Sequence, residues 1–173
     1  ARREAPLQAL ADELARLGAA STILTDDLAD PAAPRRLFDA IQSKGLNVDG
    51  LINNAGFSRT AGFLNTDPAA HRAMIQVMLA APVELARLFT PGMVERGFGR
   101  ILNVASLAGQ MPATGGDTLY GPIKSFLIKA SAGLHLETSD KEVHVTALCP
   151  GYTWSEFHDV NGQRQAIAHA TPE

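Results

Sequence analysis

Residues 99–106 read GRILNVAS, an almost wholly apolar run that ends in a polar residue. Such a run is typical of a strand in a parallel sheet whose two faces are both covered. Two further runs, VDGLINNAG at 48–56 and VHVTALCPG at 143–151, also end in turn residues. We therefore predict three buried strands, each with a polar or glycine-containing turn at its carboxyl end.

Helical patterns separate these runs. Leucines recur at helical spacing between residues 7 and 17 and are followed by Gly18, and residues 31–45 form a second helical pattern. A short strand is predicted between these two helices, over residues 21–28. The capping pair before Pro68 predicts the start of a longer helix, which bends at Pro82 because proline lacks an N–H, and which runs towards Pro91.

Alternation of strands and helices at these lengths is typical of crossover connections. We predict an α/β protein with a doubly wound, Rossmann-like parallel sheet, helices on both faces, truncated at both ends. In such sheets ligands bind beyond the carboxyl ends of the strands, so the polar residues there are candidates for the site.

Composition excludes several classes of function. The 173 residues are 46% hydrophobic and 19% charged, with a net charge of −3 and no lysine–arginine stripe, so no nucleic-acid partner is expected. The single cysteine, Cys149, fits a reducing compartment, and we expect a cytoplasmic protein. We expect no span of membrane length, no membrane partner and no metal site, since the five histidines show no ligand spacing.

The stretch LYGPIKSFLIKA at 119–130 places Tyr120 four residues before Lys124. Residues four apart share one face of a helix, and an ammonium beside a phenol favours the phenolate by roughly 3 kcal/mol at about 5 Å. This pair can therefore perform acid–base chemistry. Ser106, at the end of its strand, lies upstream and can reach the same cleft. It lacks the flanking glycines of a hydrolase nucleophile turn.

The residues NVAS, Y and K, preceded by LINNAG and followed by CPG, resemble the classical short-chain dehydrogenase/reductase (SDR) family. The resemblance runs from Ala1 to about Phe157. It implies that Tyr120 passes a proton to or from the substrate oxygen while nicotinamide passes the hydride. It also implies that Lys124 lowers the pKa of the tyrosine and holds the ribose of the nicotinamide, and that Ser106 binds the substrate oxygen.

The same resemblance implies the residues that bind the cofactor. It places the NNAG turn along the adenosine ribose, an acidic–apolar pair beside the adenine, and the turn after the last strand around the nicotinamide. ARRE at 1–4 resembles the strand exit of members that prefer NADP(H), so NADP(H) is expected over NAD(H), with an arginine at the 2′-phosphate. These residues are Arg2, Asp27, Leu28, Asn53, Ala55, Gly56, Pro150, Gly151 and Ser155, together with Tyr120 and Lys124.

By this resemblance, residues 1–173 are one partial NAD(P)-binding Rossmann-type domain. We expect the first βαβ unit, with its glycine-rich phosphate loop, and the C-terminal substrate region to lie outside this chain. The expected function is that of an alcohol dehydrogenase or carbonyl reductase acting on a small-molecule carbonyl or alcohol. The resemblance also implies a homodimer or homotetramer that packs residues 68–89 and the helix after Tyr120, with apolar surface from Ala80, Ala81, Leu85, Leu88, Leu127 and Ile128.

Three further departures from the family pattern are visible, and two of them, Met78 and Pro122, support an alternative. Met78 stands where the family has asparagine, the interval from Ser106 to Tyr120 is one residue longer, and Pro122-Ile123 replaces small residues. The extra residue is expected in the turn at 115–116, and Pro122 is compatible with a first helical turn. The alternative is a catalytically impaired relative that binds a nucleotide or a partner protein.

Overall fold

A computed structural model describes residues 1–58, 61–113, 118–151 and 153. Its sheet has three parallel strands in the order β1-β2-β3: β1 is Gly50–Asn53, β2 is Gly99–Val104 and β3 is Val143–Leu148. Asn53 pairs with Asn103, and Val104 pairs with Leu148. The three longer strands predicted from the sequence are confirmed, and their carboxyl ends lie at one edge of the sheet.

Five α-helices surround or precede these strands in the described residues. Gly18 and Gly45, which end the first two helical patterns, have φ of 80° and 65°, a conformation that glycine adopts without strain. Asp67 accepts the Ala69 N–H and so begins the third helix, as predicted. The helices are α1 Glu4–Arg16, α2 Ala33–Ser43, α3 Pro68–Ile75, α4 Ala81–Glu95 and α5 Tyr120–Thr138.

The bend at Pro82 stays a prediction, but a π-helical turn, Gln76–Ala80, lies just before this proline and joins α3 to α4 without a break. Within it the Ala81 N–H bonds to the carbonyl of Gln76, five residues back. The wider turn lies just before a proline that cannot donate to the residue four back, a common cause of such irregularity. The helix continues beyond Pro91, which lies inside α4.

The expectation that no segment approaches membrane length was wrong for this helical stretch. Pro68–Glu95 has 28 residues and a mean hydropathy of 1.4 over its most apolar 18-residue window, enough by length and composition to cross a membrane. A helix at the centre of a globular domain passes the same test, and 44% of this window is buried in the protein. The apolar residues of this helix pack on the sheet, which explains its composition.

The strand predicted for residues 21–28 was wrong, because the structure has no strand there. In this segment the Asp26 N–H bonds to the carbonyl of Ala1, but no ladder forms with a neighbouring chain segment in the described residues. A strand is defined by repeated pairing, so a suitable local composition is not sufficient.

Helices α4 and α5 pack on the same face of the sheet. Phe89 and Met93 of α4 contact a cluster that includes Ile101 and the β3 valines, and Leu134 of α5 packs against that cluster. The other face is more open in the described residues, where Ile52 is 66% exposed. As a result, the amino-terminal end of α5 lies beside the carboxyl end of β2, where polar residues are expected.

Candidate active site

Ser106 lies two residues beyond β2 and begins a short 3₁₀ turn, Leu107–Gly109. Its Oγ accepts the Ala108 N–H at 3.2 Å, so the side chain caps the turn. The Leu107 N–H donates to the carbonyl of Pro150 at 3.0 Å. These bonds bring the turn after β3 next to the serine, at the edge of the sheet where the sequence predicts a site.

Tyr120 is the first residue of α5, and Lys124 lies one turn later. Pro122 is therefore in the first helical turn, where its missing N–H has little cost, and Gly121 is helical despite the proline that follows it. The ring of Tyr120 packs against the apolar cluster of α3 and the π turn. The Lys124 Nζ lies 5.4 Å from the centre of this ring.

Lys124 is almost fully buried, with 4% of its surface exposed. Its Nζ donates to the carbonyl of Val104 at 2.6 Å, which ties α5 to the last residue of β2. Burial lowers the pKa of the lysine to about 8, because the ammonium loses solvation. The structure thus brings Tyr120, Lys124 and the loop that carries Ser106 to one place.

The glycine of the NNAG turn lies beside this lysine. A Cβ at Gly56 would be 3.2 Å from Met78 Sδ and 3.9 Å from Lys124 Nζ, so the glycine leaves room for both side chains. Met78 is 1% exposed and sits in the π turn. A buried thioether, which is at best a weak hydrogen-bond acceptor, therefore lies where a relative with asparagine would have an amide.

The residues predicted for the adenosine side also come together. Arg2 Nη1 is 3.5 Å from Asp27 Oδ2, and the Asp27 side chain accepts the Ala29 N–H. The Arg2 side chain is 73% exposed and can contact a ligand. Arg36, in contrast, is held by Asp26 and Asp30, and its hydrogen bonds keep the pKa of Asp26 below its usual value.

A narrow groove of about 80 Å³ runs beside β1. One wall of the groove is formed by Leu28 and by the first three residues of the NNAG turn, Asn53, Asn54 and Ala55. Apolar side chains of the π turn and α4 also line it: Val77, Pro82 and Leu85. A larger, open depression of about 530 Å³ lies between residues 29–31 and α3, and it is lined by none of the predicted site residues that the structure describes. We place the site at the strand ends because the chemically suited side chains are there.

A buried polar chain that the sequence did not reveal supports this site. Asn53 Nδ2 donates to Asn103 Oδ1 at 2.8 Å, Asn103 Nδ2 donates to Ser131 Oγ at 2.8 Å, and that hydroxyl donates to the carbonyl of Leu127. The chain links β1, β2 and α5. The sequence signal for Asn103 was a polar residue inside an apolar strand, but its partners are distant in sequence.

Removing the central amide is expected to destabilise the fold. Asn103→Ala removes the acceptor of the buried Asn53 amide at 2.8 Å and the donor to the buried Ser131 hydroxyl, and we expect the free energy of unfolding to fall by about 2 kcal/mol. Chemical denaturation measures this loss. Asn47→Ala, which removes an exposed amide, is the control and should change stability by less than about 0.5 kcal/mol. Equal losses in the two variants would contradict a structural role for the chain.

Gly151 is exposed and Pro150 half-buried at the end of β3, next to the Ser106 loop. Ser155 and the Gly115-Gly116 turn lie outside the described residues. In the part of the chain that the structure describes, there is no group of three or more His, Cys, Asp or Glu side chains that could hold a metal ion.

The fold and the polar strand ends define a class, the Rossmann-like α/β proteins. Within this class the chain belongs to the short-chain dehydrogenase family of oxidoreductases, whose family model matches residues 1–166. The resemblance inferred from the motifs is thereby confirmed at the level of the family, and so is the Rossmann-like fold.

Three relatives illustrate this similarity. The NADP-dependent 3-hydroxy acid dehydrogenase YdfG of Escherichia coli is 35% identical over 167 residues, which are 92% of this chain and 63% of that protein. Oxidoreductase UcpA of Escherichia coli is 30% identical over 146 residues, 84% of this chain and 56% of that protein. A short-chain dehydrogenase from Sphingobium yanoikuyae in complex with NADPH has a TM-score of 0.89 and 30% identity, and the match covers 100% of this chain and 66% of that one.

This chain thus spans between 56% and 66% of the length of these three relatives. A gluconate 5-dehydrogenase from Burkholderia cenocepacia, solved with NADP and tartrate, has a TM-score of 0.84 at 24% identity, a likeness that shows the fold alone. The similarity to YdfG and to the Sphingobium dehydrogenase supports a nicotinamide dinucleotide as the cofactor.

Proposed function

We propose that the full-length protein is an NADP(H)-dependent alcohol dehydrogenase or carbonyl reductase that acts on a small carbonyl or alcohol. The observation that carries this proposal is the position of Lys124. Its ammonium lies 5.4 Å from the Tyr120 ring centre and is bonded to the last residue of β2, two residues before Ser106. Lys124 therefore links the proposed acid, Tyr120, to the strand end that leads to Ser106, which supports the proposal.

Each of the three residues has a distinct part in this proposal. The Ser106 Oγ accepts the Ala108 N–H, and its own hydrogen can be donated to a substrate oxygen. The Tyr120 hydroxyl transfers the proton, and the positive charge of Lys124 stabilises the phenolate that results. The bond from Lys124 to Val104 holds the ammonium in place, so little reorganisation is needed during proton transfer.

The residues of this chain fit part of a dinucleotide. The exposed guanidinium of Arg2 suits a phosphate, the groove at Leu28 suits a flat apolar ring, and the exposed Ala55-Gly56 backbone offers close approach to a ribose. When bound, the nicotinamide supplies or accepts the hydride. YdfG is NADP-dependent and the Sphingobium relative was solved with NADPH, which supports NADP(H) as the cofactor here.

A preference for NADPH is a prediction that Arg2 makes testable. We expect the full-length protein to bind NADPH about tenfold more tightly than NADH, a difference of about 1.4 kcal/mol, because the guanidinium pairs with the 2′-phosphate. Arg2→Gln should abolish the difference by weakening NADPH binding alone. Fluorescence titration measures both constants, and Arg16→Gln, an exposed arginine at the end of α1, is the matched control. Equal affinities for the two cofactors in the unaltered protein would contradict the prediction.

A second candidate function is a catalytically impaired relative that binds a nucleotide or a protein. The buried thioether of Met78 beside Gly56 and Lys124 favours it, because a thioether cannot pass a proton. NADPH oxidation with a panel of ketones and aldehydes distinguishes the two functions. Cofactor binding without oxidation of any substrate would support the impaired relative.

A homodimer or homotetramer remains a proposal, and its predicted surface needs correction. Ala81, Leu85 and Leu127 are buried within the chain, so they are not available to a partner. Exposed apolar side chains on the same helices are Ile75, Val83 and Phe126, at 42%, 45% and 39%. A cytoplasmic location and the absence of nucleic-acid and membrane partners likewise stay predictions.

A further inference from the structure

The 3₁₀ turn after Ser106 lies closer to α5 than a residue with a side chain at position 109 would allow. A Cβ built at Gly109 would lie 2.7 Å from the carbonyl carbon of Lys124 and 2.7 Å from the Ser125 nitrogen. Both are backbone atoms of a regular helix, so they cannot rotate away as a flexible side chain would. The absence of a side chain at residue 109 therefore permits the approach of turn and helix.

Hydrogen bonds hold the turn on both sides of this contact. The Ser125 hydroxyl donates to the carbonyl of Gly109 at 2.6 Å, which fastens the turn to α5. On the other side, the Gly109 N–H donates to the carbonyl of Ser106 at 3.0 Å. The serine is thus connected to the helix that carries Tyr120 and Lys124 through three residues of compact backbone.

We propose that Gly109 is a positioning residue that sets the distance between Ser106 and the Tyr120–Lys124 helix. This proposal rests on the proposed function for its catalytic consequence. Lys124 lies at the centre of the arrangement, since its backbone contacts Gly109 while its Nζ bonds to the end of β2. Any widening of the gap between turn and helix must move the helix relative to the serine, or strain the bond to Val104.

The test is Gly109→Ala in the full-length protein. To accommodate the added methyl group, the turn and the helix must move apart by roughly 1 Å. Misplacement of catalytic groups on that scale can lower the rate by up to about 100-fold. We expect kcat to fall between about 10-fold and 100-fold, while the NADPH dissociation constant changes less than about threefold. Gly133→Ala is the matched control on α5, because a Cβ there meets nothing within 4 Å, and it should leave kcat unchanged.

A second measurement separates positioning from a general loss of stability and needs no cofactor. A wider gap admits water to the Lys124 ammonium, so the stability that the protein gains between pH 8 and 10.5 through this lysine should shrink in Gly109→Ala. For each protein, the gain is the change in the free energy of unfolding between pH 8 and 10.5, minus the same change measured after Lys124→Met is added to that protein. An unchanged gain together with an unchanged kcat would overturn the proposal.

Ser125→Ala keeps the proposal testable if Gly109→Ala does not fold. It removes the 2.6 Å bond without adding volume, and kcat should fall about threefold with NADPH affinity unchanged. No change in kcat would count against the positioning role. If Tyr120→Phe abolishes turnover while both variants keep the original kcat, the positioning proposal fails and the proposed function stands. If Tyr120→Phe leaves turnover intact, the proposed function fails, and the cofactor-free measurement still decides the role of Gly109.

Discussion

Replacing Tyr120 with phenylalanine is expected to lower kcat by between about 10² and 10⁴-fold, with little change in stability. The loss is that of a general acid–base group, which contributes rate enhancement on this scale. Stability should be kept because the ring packs against Met74, Val77, Met78 and Ile123, and phenylalanine preserves that packing. Steady-state kinetics with NADPH and a carbonyl substrate, together with a thermal melt, provide the two measurements.

The pH profile sharpens this test. In the unaltered protein, the phenol should contribute to the pH dependence of kcat. Lys124, whose pKa is about 8, also ionises in this range, so the pH dependence of the small residual rate of Tyr120→Phe should differ from that of the unaltered protein without vanishing. Ser43→Ala, which removes a hydroxyl at the end of α2, is the control and should retain the full rate and profile. Undiminished turnover in Tyr120→Phe would end the assignment of the tyrosine as the proton donor.

The buried ammonium of Lys124 is expected to make the stability of the protein rise at alkaline pH. In the unfolded chain this lysine has its ordinary pKa of 10.5, whereas burial lowers it to about 8 in the folded protein. Between these two values the unfolded state binds more protons, so the free energy of unfolding increases with pH. Below pH 8 the lysine is protonated in both states and the full cost of burying it remains. The gain across the window is about 3 kcal/mol.

Lys124→Met isolates this effect because methionine has a similar length and does not ionise. The stability of the unaltered protein relative to this variant should increase by about 3 kcal/mol between pH 7 and pH 10.5, whatever the offset from the lost bond to Val104. Urea denaturation at several pH values measures the difference. Lys129→Met, on an exposed part of α5, corrects for the removal of a surface charge. A constant difference across the range would show that the ammonium is solvated.

The same variant should lose most of its turnover, and this combination is informative. A buried charge that costs stability at neutral pH has a reason to persist if it serves the chemistry of a site. We expect Lys124→Met to lower kcat while it removes the pH-dependent cost, so activity and alkaline stability should change together. If Lys124→Met retained its activity, the role of this lysine would be structural only.

Much of this fold was predictable because its determinants are local. The apolar runs at β1, β2 and β3 and the start of α3 at Asp67 depend on neighbouring residues, and the structure confirms them. Asn53, Ser106 and Pro150 could be named for a similar reason, since each lies at or just beyond the end of a strand, whereas Arg2 was named from the family resemblance. Their proximity, however, depended on the order of the strands.

The incorrect strand at residues 21–28 and the overlooked asparagine have a common origin. Both depend on partners that local composition does not specify. Residues 21–28 have strand-like composition but no paired neighbour in the described residues, while Asn103 reads as an anomaly until Asn53 and Ser131 lie next to it. These partners are 50 and 28 residues away in the chain.

Local patterns in the sequence predicted the three paired strands, the first two helices, the long helix that begins after Asp67 and the helix that carries Tyr120 and Lys124, and the motifs indicated the family. Only the tertiary structure decided that Lys124 is buried against Val104, that Met78 lies in a π turn beside Gly56, and that Gly109 touches the backbone of α5. The physical reason is the distance along the chain over which the determining interactions act. Secondary structure and caps arise from contacts within a few residues, whereas burial, pKa and close backbone approach are set by segments that only the packed sheet brings together.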